Sequence, residues 1–221
     1  ELEVRKRMSK GLYFGVSYTV SKYLEATSYL NANDAKPANV ISESDRPQVL
    51  SAHGVYELPF GSGKHFFNTK HSVLNRIVGG WQVNWLATYQ SMQPLAFSGA
   101  ERLSRSTNNP HTLERWFDVK QFVVQEPFTL RQLSSYVADL RAPGIKKWDV
   151  TAIKTIPLTE KVRMRIEAQF FNAWNTPQFG PPITTVTSAD FGIITGYNFN
   201  ICESCTLLPP RQIQVSARLT W

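Results

Sequence analysis

The two cysteines are the side chains best suited to covalent or metal chemistry. Cys202 and Cys205 are separated by two residues, and none of the four histidines is close to them in sequence. Two thiolates supply half of a tetrahedral zinc site. Their flanks indicate a loop, not the helix start that a thioredoxin-type thiol needs. In an exported protein we expect a local disulfide; a free dithiol and metal ligation are the alternatives.

The segment "GSGK" at residues 61–64 has the residue types of a phosphate-binding loop without its spacing. That motif needs a glycine five positions before its second glycine and a Ser or Thr after the lysine. Leu58 and His65 occupy those positions, so a turn after Pro59 is the better interpretation. No Ser/His/Asp set, Cys/His set or carboxylate pair has a spacing suited to catalysis. We expect no catalytic residue, no metal, no cofactor and no enzymatic activity.

The charge balance is basic, with 24 Lys and Arg against 17 Asp and Glu, a net charge of +7. Such an excess favours solubility, or attraction to nucleic acid or to anionic head groups at a membrane surface. The basic residues are dispersed, and "VRKR" at 4–7 is the one tight cluster. This pattern argues against a nucleic-acid partner. The chain has no run of about eighteen apolar residues, so a membrane-spanning helix is not expected.

Alternation of apolar and polar side chains is the dominant pattern of the chain. In the last eleven residues, "RQIQVSARLTW", every second residue from Ile213 to Trp221 is apolar. This period of two predicts a β-strand with one apolar and one polar face. The same pattern predicts six further strands at 2–8, 12–20, 48–58, 81–90, 148–156 and 162–174. Lys154 interrupts the apolar row of its strand.

Short and long connections alternate between these strands. Three are short to moderate, at 8–11, 59–78 and 157–161, and three are long, at about 25–45, 91–147 and 175–210. All the long connections therefore leave one end of the sheet. Outer-membrane barrels combine short periplasmic turns with long extracellular loops, whereas median connections in compact soluble domains are about 4–6 residues. The sequence predicts an all-β fold, an antiparallel transmembrane β-barrel in the bacterial outer membrane.

Aromatic residues lie near the strand ends on the predicted apolar faces. Trp81 and Trp221 are expected at the periplasmic rim, and Tyr89, Trp148 and Trp174 at the outer rim. Two such belts are typical of a lipid-facing surface. The alternative is that these residues form the core of a soluble β-sandwich.

Seven short segments add a family resemblance. They are "YTVSKYL" (18–24), "YELPFGSGK" (56–64), "GGWQVN" (79–84), "RWFD" (115–118), "KKWDVTAIK" (146–154), "RIEAQFFNAWNTPQFGPP" (165–182) and "PPRQIQVSARLTW" (209–221). In sequence and in order they resemble the C-terminal barrel region of Oar-like TonB-dependent outer-membrane receptors of the kind found in Acidobacteria. The resemblance covers most of residues 1–221.

The resemblance implies a barrel of about 22 strands with an N-terminal plug, importing a scarce nutrient with energy delivered through TonB. It implies as partners the outer-membrane lipid and lipopolysaccharide, the remaining strands and plug of the same receptor, TonB through an N-terminal part, and the barrel-assembly machinery through the last strand. About seven strands should not close alone, because an unpaired edge in lipid leaves backbone groups unsatisfied. The chain is then the end of a longer protein, the interpretation that we favour, or other chains complete the sheet.

The polar row of the strand at 162–174 consists of Arg163, Arg165, Glu167 and Gln169. We expect it to face the lumen, where it could contact a substrate or the plug. The simpler interpretation is that these side chains are hydrated and pair with neighbouring strands.

The connection at 91–147 is long enough to fold on itself and is rich in aromatic residues, namely Trp116, Phe117, Phe122, Phe128 and Tyr136. Long loops of this kind are usually functional, so we expect either substrate capture or a lid over the barrel mouth. The alternative function for the whole chain is a non-transporting barrel fragment or assembly subunit that displays loops.

Overall fold

Seven long strands form one antiparallel sheet in the computed structural model, which describes residues 1–61, 63–66, 76–196 and 210–221. Each long strand pairs with the next long strand along the chain. They are β1 (Leu2–Ser9), β2 (Leu12–Val20), β5 (Gln48–Glu57), β6 (Trp81–Gln90), β11 (Ile145–Pro157), β12 (Arg163–Phe171) and β13 (Gln212–Thr220). All seven strands predicted from alternation are therefore confirmed.

The register of the sheet places the apolar rows of all seven strands on one face, called here the outer face. One row across the sheet consists of Lys6, Phe14, Gly54, Trp85, Val150, Phe170 and Ile213. The opposite, mainly polar face is called the inner face. A slip of one residue at any strand pair would move that strand's apolar row to the inner face, so the sequence pattern specifies the register.

The outer face of β13 has no protein layer over it in the described part of the chain. All nine residues of this strand are exposed, among them Ile213, Val215 and Leu219 at 58%, 68% and 53%. Large apolar side chains repeated along a strand indicate contact with a nonaqueous surface. The soluble-sandwich alternative requires a second sheet on this face.

The connections are sorted to two ends of the sheet. The turn end carries the connections 10–11, 58–80 and 158–162, and the loop end carries 21–47, 91–144 and 172–211. The tightest turn consists of Lys10 and Gly11 alone, with φ values of 52° and 78°. Positive φ at both central residues is the geometry of a type I′ hairpin turn, whose twist matches that of the strands.

Strand β12 ends earlier than predicted, and this corrects the position of Trp174. The strand stops at Phe171 because Asn172 adopts φ 49° and its backbone N–H donates to the Asp149 carboxylate. Trp174 follows in a turn, 68% exposed, and is not part of the outer-face row. Strand β11 begins at Ile145, so the preceding loop is three residues shorter than the predicted 91–147.

The connections at the loop end fold together into a unit, called here the loop domain, which consists of residues 21–47, 91–144 and 172–196. Three small antiparallel pairs order it, and they involve β3 (Leu24–Glu25), β4 (Val40–Ile41), β7 (Pro94–Ala96), β8 (Ala100–Arg102), β9 (Phe122–Val124) and β10 (Tyr136–Arg141). A 3₁₀ turn, Val119–Gln121, precedes β9. The hydrophobic cluster formed by the buried residues of the described ranges lies here, around Met92, Phe97, Phe117 and Leu140.

Among the described residues there is no helix long and apolar enough to cross a membrane.

Candidate functional site: the inner face and the loop domain

The polar row of β12 lies on the inner face, and three of its four members contact one another. Arg165 Nε is 2.6 Å from Glu167 Oε1, and Gln169 Nε2 donates to Glu167 Oε2 at 3.3 Å. Arg163 lies at the turn end, opposite Thr220 of β13. We expected these side chains to pair with residues of neighbouring strands, but their side-chain contacts are with one another along β12.

The same spacing of two residues recurs in other ion pairs of the inner face. Arg5 pairs with Glu3 on β1, and Lys147 Nζ lies 2.9 Å from Asp149 Oδ2 on β11. Residues i and i+2 of a strand share a face, so each pair neutralises charge locally. Exposed pairs of this kind contribute little stability. They neutralise part of the charge on this polar face, which is suited to the wall of an aqueous channel.

Three of the predicted belt aromatics lie on the outer face by register. Tyr89 and Trp148 are near the loop end, where Trp148 Nε1 donates to the Tyr89 hydroxyl at 2.7 Å. Trp81 begins β6 at the turn end, and its Nε1 donates to the Ile77 carbonyl at 3.0 Å. Trp221 follows β13 and is 94% exposed. The arrangement is two aromatic groups separated by the length of the strands.

Lys154, a charged residue in the middle of the outer-face row of β11, is covered by neighbouring groups. Its Nζ donates to the carbonyls of Ile77 and Gly79 and lies 5.1 Å from the centroid of the Trp81 ring. A buried cation is tolerated when it is hydrogen-bonded. The carbonyl and cation–π contacts explain how the apolar row of this strand accommodates a charged residue.

The core of the loop domain is a cluster of four phenylalanines. Phe97 stacks on Phe122 at a centroid distance of 4.2 Å, and Phe117 and Phe191 meet both rings edge-on. Phe191 comes from the third loop, so the cluster joins two connections that are distant in sequence. Phe117 and Phe122 are buried. These two aromatics, which we expected to be available for capture or for a lid, are structural.

Two ion-pair networks hold the loops around this core. Asp45, whose side chain is 1% exposed, accepts from Arg141 Nη2 at 2.6 Å, and this joins the first loop to β10. Arg102 donates to both carboxylate oxygens of Asp139 at 2.9 Å and to the side chain of buried Gln121. The Arg102 guanidinium holds the pKa of Asp139 below its ordinary value, because it stabilises the carboxylate form.

The first loop is also attached to the second through neutral and charged hydrogen bonds. Asn31 and Arg131 exchange two bonds between the Asn31 side chain and the Arg131 backbone, at 2.7 and 3.1 Å. The Tyr136 hydroxyl donates to Glu43 Oε2 at 2.7 Å, and this bond, with burial, raises the pKa of Tyr136 to about 12. Tyr136, like the two buried phenylalanines, thus serves the fold of the loop domain.

Phe128 is the aromatic residue of this loop that projects outward. It is fully exposed and has φ 63°, a left-handed conformation that costs a non-glycine residue about 1–2 kcal/mol. Hydrogen bonds from Thr129 to the Glu126 carbonyl close the turn beneath it. Leu130, 67% exposed, lies two residues further on. Strained backbone conformations often occur at ligand contacts, so Phe128 is a candidate contact residue.

Other sequence candidates contribute less to the site. Cys202 and Cys205 lie outside the described residues. In the segment 61–64, Lys64 N–H donates to the Gly61 carbonyl at 3.1 Å, as a turn requires, and Lys64 Nζ pairs with Glu57 Oε2 at 3.0 Å. Within the described ranges no group of three His, Cys, Asp or Glu side chains could hold a metal ion.

Residues such as Asp45 and Arg141 were not identified from the sequence. They are far apart along the chain, and no local pattern links them. The turn at the exposed Phe128 is weakly indicated in the sequence. Pro127 precedes Phe128, and proline favours the second position of a turn.

Comparison with protein-family models supplies an independent observation. A model described as an outer membrane beta barrel domain matches residues 1–214 of the 221. Comparisons with curated proteins and with solved structures gave no match. The family match spans nearly the whole chain and agrees with the antiparallel sheet and its apolar outer face. The predicted all-β barrel fold and the location in the bacterial outer membrane are confirmed, and the chain belongs to the family of outer-membrane β-barrel domains.

Proposed function

We propose that the chain is part of a TonB-dependent importer of a scarce nutrient, in which it supplies barrel wall and extracellular capture loops. The observation that carries the proposal is the loop domain: three long connections fold at one end of the wall around a phenylalanine core. A folded loop domain lowers the entropy cost of ligand capture, because the contacting groups are already ordered. A set of loops with only a connecting role has no need of such a core.

The segments that resemble Oar-like receptors support import that is driven through TonB, as opposed to passage through a passive pore. In this proposal the paired charges of the inner face line the path beside a plug. The remaining strands of the receptor continue the sheet beyond β1 and β13, each of which has one unpaired side among the described residues. TonB acts through an N-terminal part of the receptor, and the barrel-assembly machinery acts on β13. The proposed role includes no catalytic step.

The experiment is a depletion assay in the native host. Cells with and without the gene are grown in a defined mixture of nutrients at low concentration, and the loss of each solute from the medium is followed by mass spectrometry. The proposal expects at least one solute whose uptake requires the gene and stops when a protonophore dissipates the proton motive force. Gene-dependent uptake that continues without energy would indicate a passive pore. If no solute depends on the gene, the alternative function, a non-transporting barrel fragment or assembly subunit that displays loops, is the better description.

The variant Phe128→Gly tests whether the projecting turn takes part in capture. Glycine adopts φ 63° without the steric cost, so the thermal stability of the purified protein should stay the same or rise. Uptake of the identified solute should fall severalfold through a weaker apparent affinity. Leu130→Gly is the matched control, because this residue is also exposed but has no positive φ; it should lower stability slightly. Unchanged uptake by the Phe128 variant would favour a lid over capture.

A further inference from the structure

A small pocket lies on the inner face of the sheet at its turn end. It has a volume of about 170 Å³. Two inner-face residues of β11, Thr155 and Pro157, line it from the sheet, and the connection 58–80 contributes Lys64, Arg76 and Gly80. Sites for drug-sized ligands have about 300–1,000 Å³. This pocket therefore suits a small ion or the charged end of a larger ligand.

The connection that lines the pocket is held against β11 by its backbone. The Gly80 carbonyl accepts the Thr155 N–H at 2.9 Å. Gly80 has φ 74°, and an added Cβ would overlap the Thr155 carbonyl oxygen, so this close approach requires glycine. On the other part of the connection, the Phe66 N–H donates to the Pro59 carbonyl at 2.8 Å. The pocket is thus formed by ordered backbone on both sides.

Positive charges flank the pocket on two sides. Lys64 and Arg76 line it from the connection, and on β12 the register places Arg165 opposite Thr155 and Arg163 opposite Pro157. Directly opposite residues of a strand pair have Cβ atoms about 4.5–5.5 Å apart.

Two of these four cations are neutralised and two are not. Lys64 and Arg165 each pair with a carboxylate, at 3.0 and 2.6 Å. Arg76 and Arg163 are exposed, and among the described residues no carboxylate lies within ion-pair distance of either. Since the lining residues of β11 between them carry no charge, the pocket is a region of positive potential.

We propose that this pocket binds a phosphate group, either as the free ion or as the end of a phosphate ester, between Arg76 and Arg163. A phosphate monoester carries a charge of about −1.5 to −2 at neutral pH, which matches the two cations that lack a carboxylate partner. Guanidinium groups bind phosphate oxygens in pairs, and the Thr155 hydroxyl supplies a further donor. A carboxylate, with a single negative charge, would leave part of the positive charge unbalanced. The site requires only that the inner face contacts water, so it does not depend on the import proposal.

The test measures binding to the full-length protein in detergent by isothermal titration calorimetry at low ionic strength. The probes are inorganic phosphate, glycerol 3-phosphate and acetate. Both phosphates should bind at least tenfold more tightly than acetate. Arg76→Gln and Arg163→Gln should each weaken phosphate binding about tenfold, the effect of losing one charge-assisted hydrogen bond. Arg76→Lys keeps the charge without the planar fork and should cause a smaller loss than Arg76→Gln.

Lys146→Gln is the matched control for the loss of charge. It removes one exposed positive charge from the same strand, but from the outer face at the loop end, opposite Tyr89. Phosphate binding should stay unchanged in this variant. Thermal unfolding should be the same for all four variants, because each replaces an exposed side chain.

Three results would overturn the proposal. The first is that neither phosphate binds to the wild-type protein. The second is an equal loss of binding in the Arg76 and Lys146 variants, which would show that only the net charge of the protein attracts the anion. The third is acetate binding as tight as phosphate binding, which would assign the pocket to a carboxylate. Either order of affinity between the two phosphates supports the proposal, and the tighter one identifies the free ion or the ester as the preferred ligand.

Discussion

Charged side chains in the loop domain are each held by several partners. Asp139 receives two bonds from Arg102 and one from Arg105 at 3.1 Å, and Arg102 also lies 5.6 Å from the centroid of the Phe122 ring. The Arg102–Asp139 pair is largely shielded, with side chains 13% and 21% exposed. Hydrogen bonds to charged groups in such surroundings contribute more than surface pairs do. The network therefore stabilises the loop domain itself.

Asp139→Asn should destabilise the loop domain by about 1–3 kcal/mol at neutral pH, because it removes the carboxylate that accepts these bonds. The pKa of Asp139 is lowered in the folded protein, so its stabilisation is present above its unfolded pKa of about 3.9. It is lost as the pH falls through the folded value. The difference in unfolding free energy between variant and wild type, measured by denaturant titration, should shrink below about pH 4.

Asp190→Asn is the control for this pH profile, since Asp190 is exposed and has no ion-pair partner among the described residues. It should change stability little at any pH. A destabilisation by Asp139→Asn that is as large at pH 3 as at pH 7 would contradict the role given to the carboxylate.

At the scale of elements, the hairpin β1–β2 depends on its two-residue turn. Gly11 has φ 78°, and an added Cβ would lie 2.9 Å from the carbonyl oxygen of Glu57 on β5. The position thus combines a left-handed backbone with close approach of a third strand. Both conditions favour glycine.

Gly11→Ala should cost about 2–3 kcal/mol of unfolding free energy, the sum of left-handed strain and the contact with Glu57. Gly99→Ala is the matched control, because Gly99 has φ 61° and open space around its Cα. It should cost only the strain, about 1 kcal/mol. The measurement is thermal unfolding of the purified variants, and equal losses would show that the close approach has no energetic effect.

The long strands were predictable because each carries several alternations and a single register satisfies all of them. The short strands of the loop domain were not, because two or three residues give no period. Pro94–Ala96, for example, becomes a strand only through pairing with Tyr136–Arg141, which is far along the chain. Trp174 was misplaced since the pattern extends past Asn172, whose positive φ ends the strand.

The inner row of β12 was predictable from the same alternation, but its internal pairing was not. Arg165 and Glu167 share a face by period two, yet only the side-chain conformations decide whether they contact each other or a neighbouring strand. The loop aromatics illustrate a second limit. Composition gives no indication that Phe117 is buried while Phe128 is exposed, because both lie in one loop among mixed polar and apolar residues.

At the scale of the whole molecule, the described residues form two parts that are stabilised in different ways. The sheet exposes its apolar row and depends on the surrounding lipid, whereas the loop domain has a core of its own. Phe97 is 1% exposed at the centre of that core. Damage to this cluster should therefore remain within the loop domain.

Phe97→Ala should destabilise the loop domain by about 3–5 kcal/mol, as expected for a buried phenylalanine. Hydrogen exchange should become faster throughout 91–144 and stay unchanged in β11, β12 and β13. Phe128→Ala removes an exposed ring of the same size and should change neither region. Loss of protection in the strands together with the loops would show that the two parts unfold as one.

The central claim is that the outer face of the sheet contacts hydrocarbon and the inner face contacts water. Spin labels placed one at a time along β13, from Ile213 to Thr220, in protein reconstituted into bilayers with Cys202 and Cys205 replaced, test it directly. Accessibility to oxygen should peak at 213, 215, 217 and 219, and accessibility to a water-soluble nickel complex at the residues between. A profile without alternation, or outer-face labels shielded from both reagents, would contradict the account.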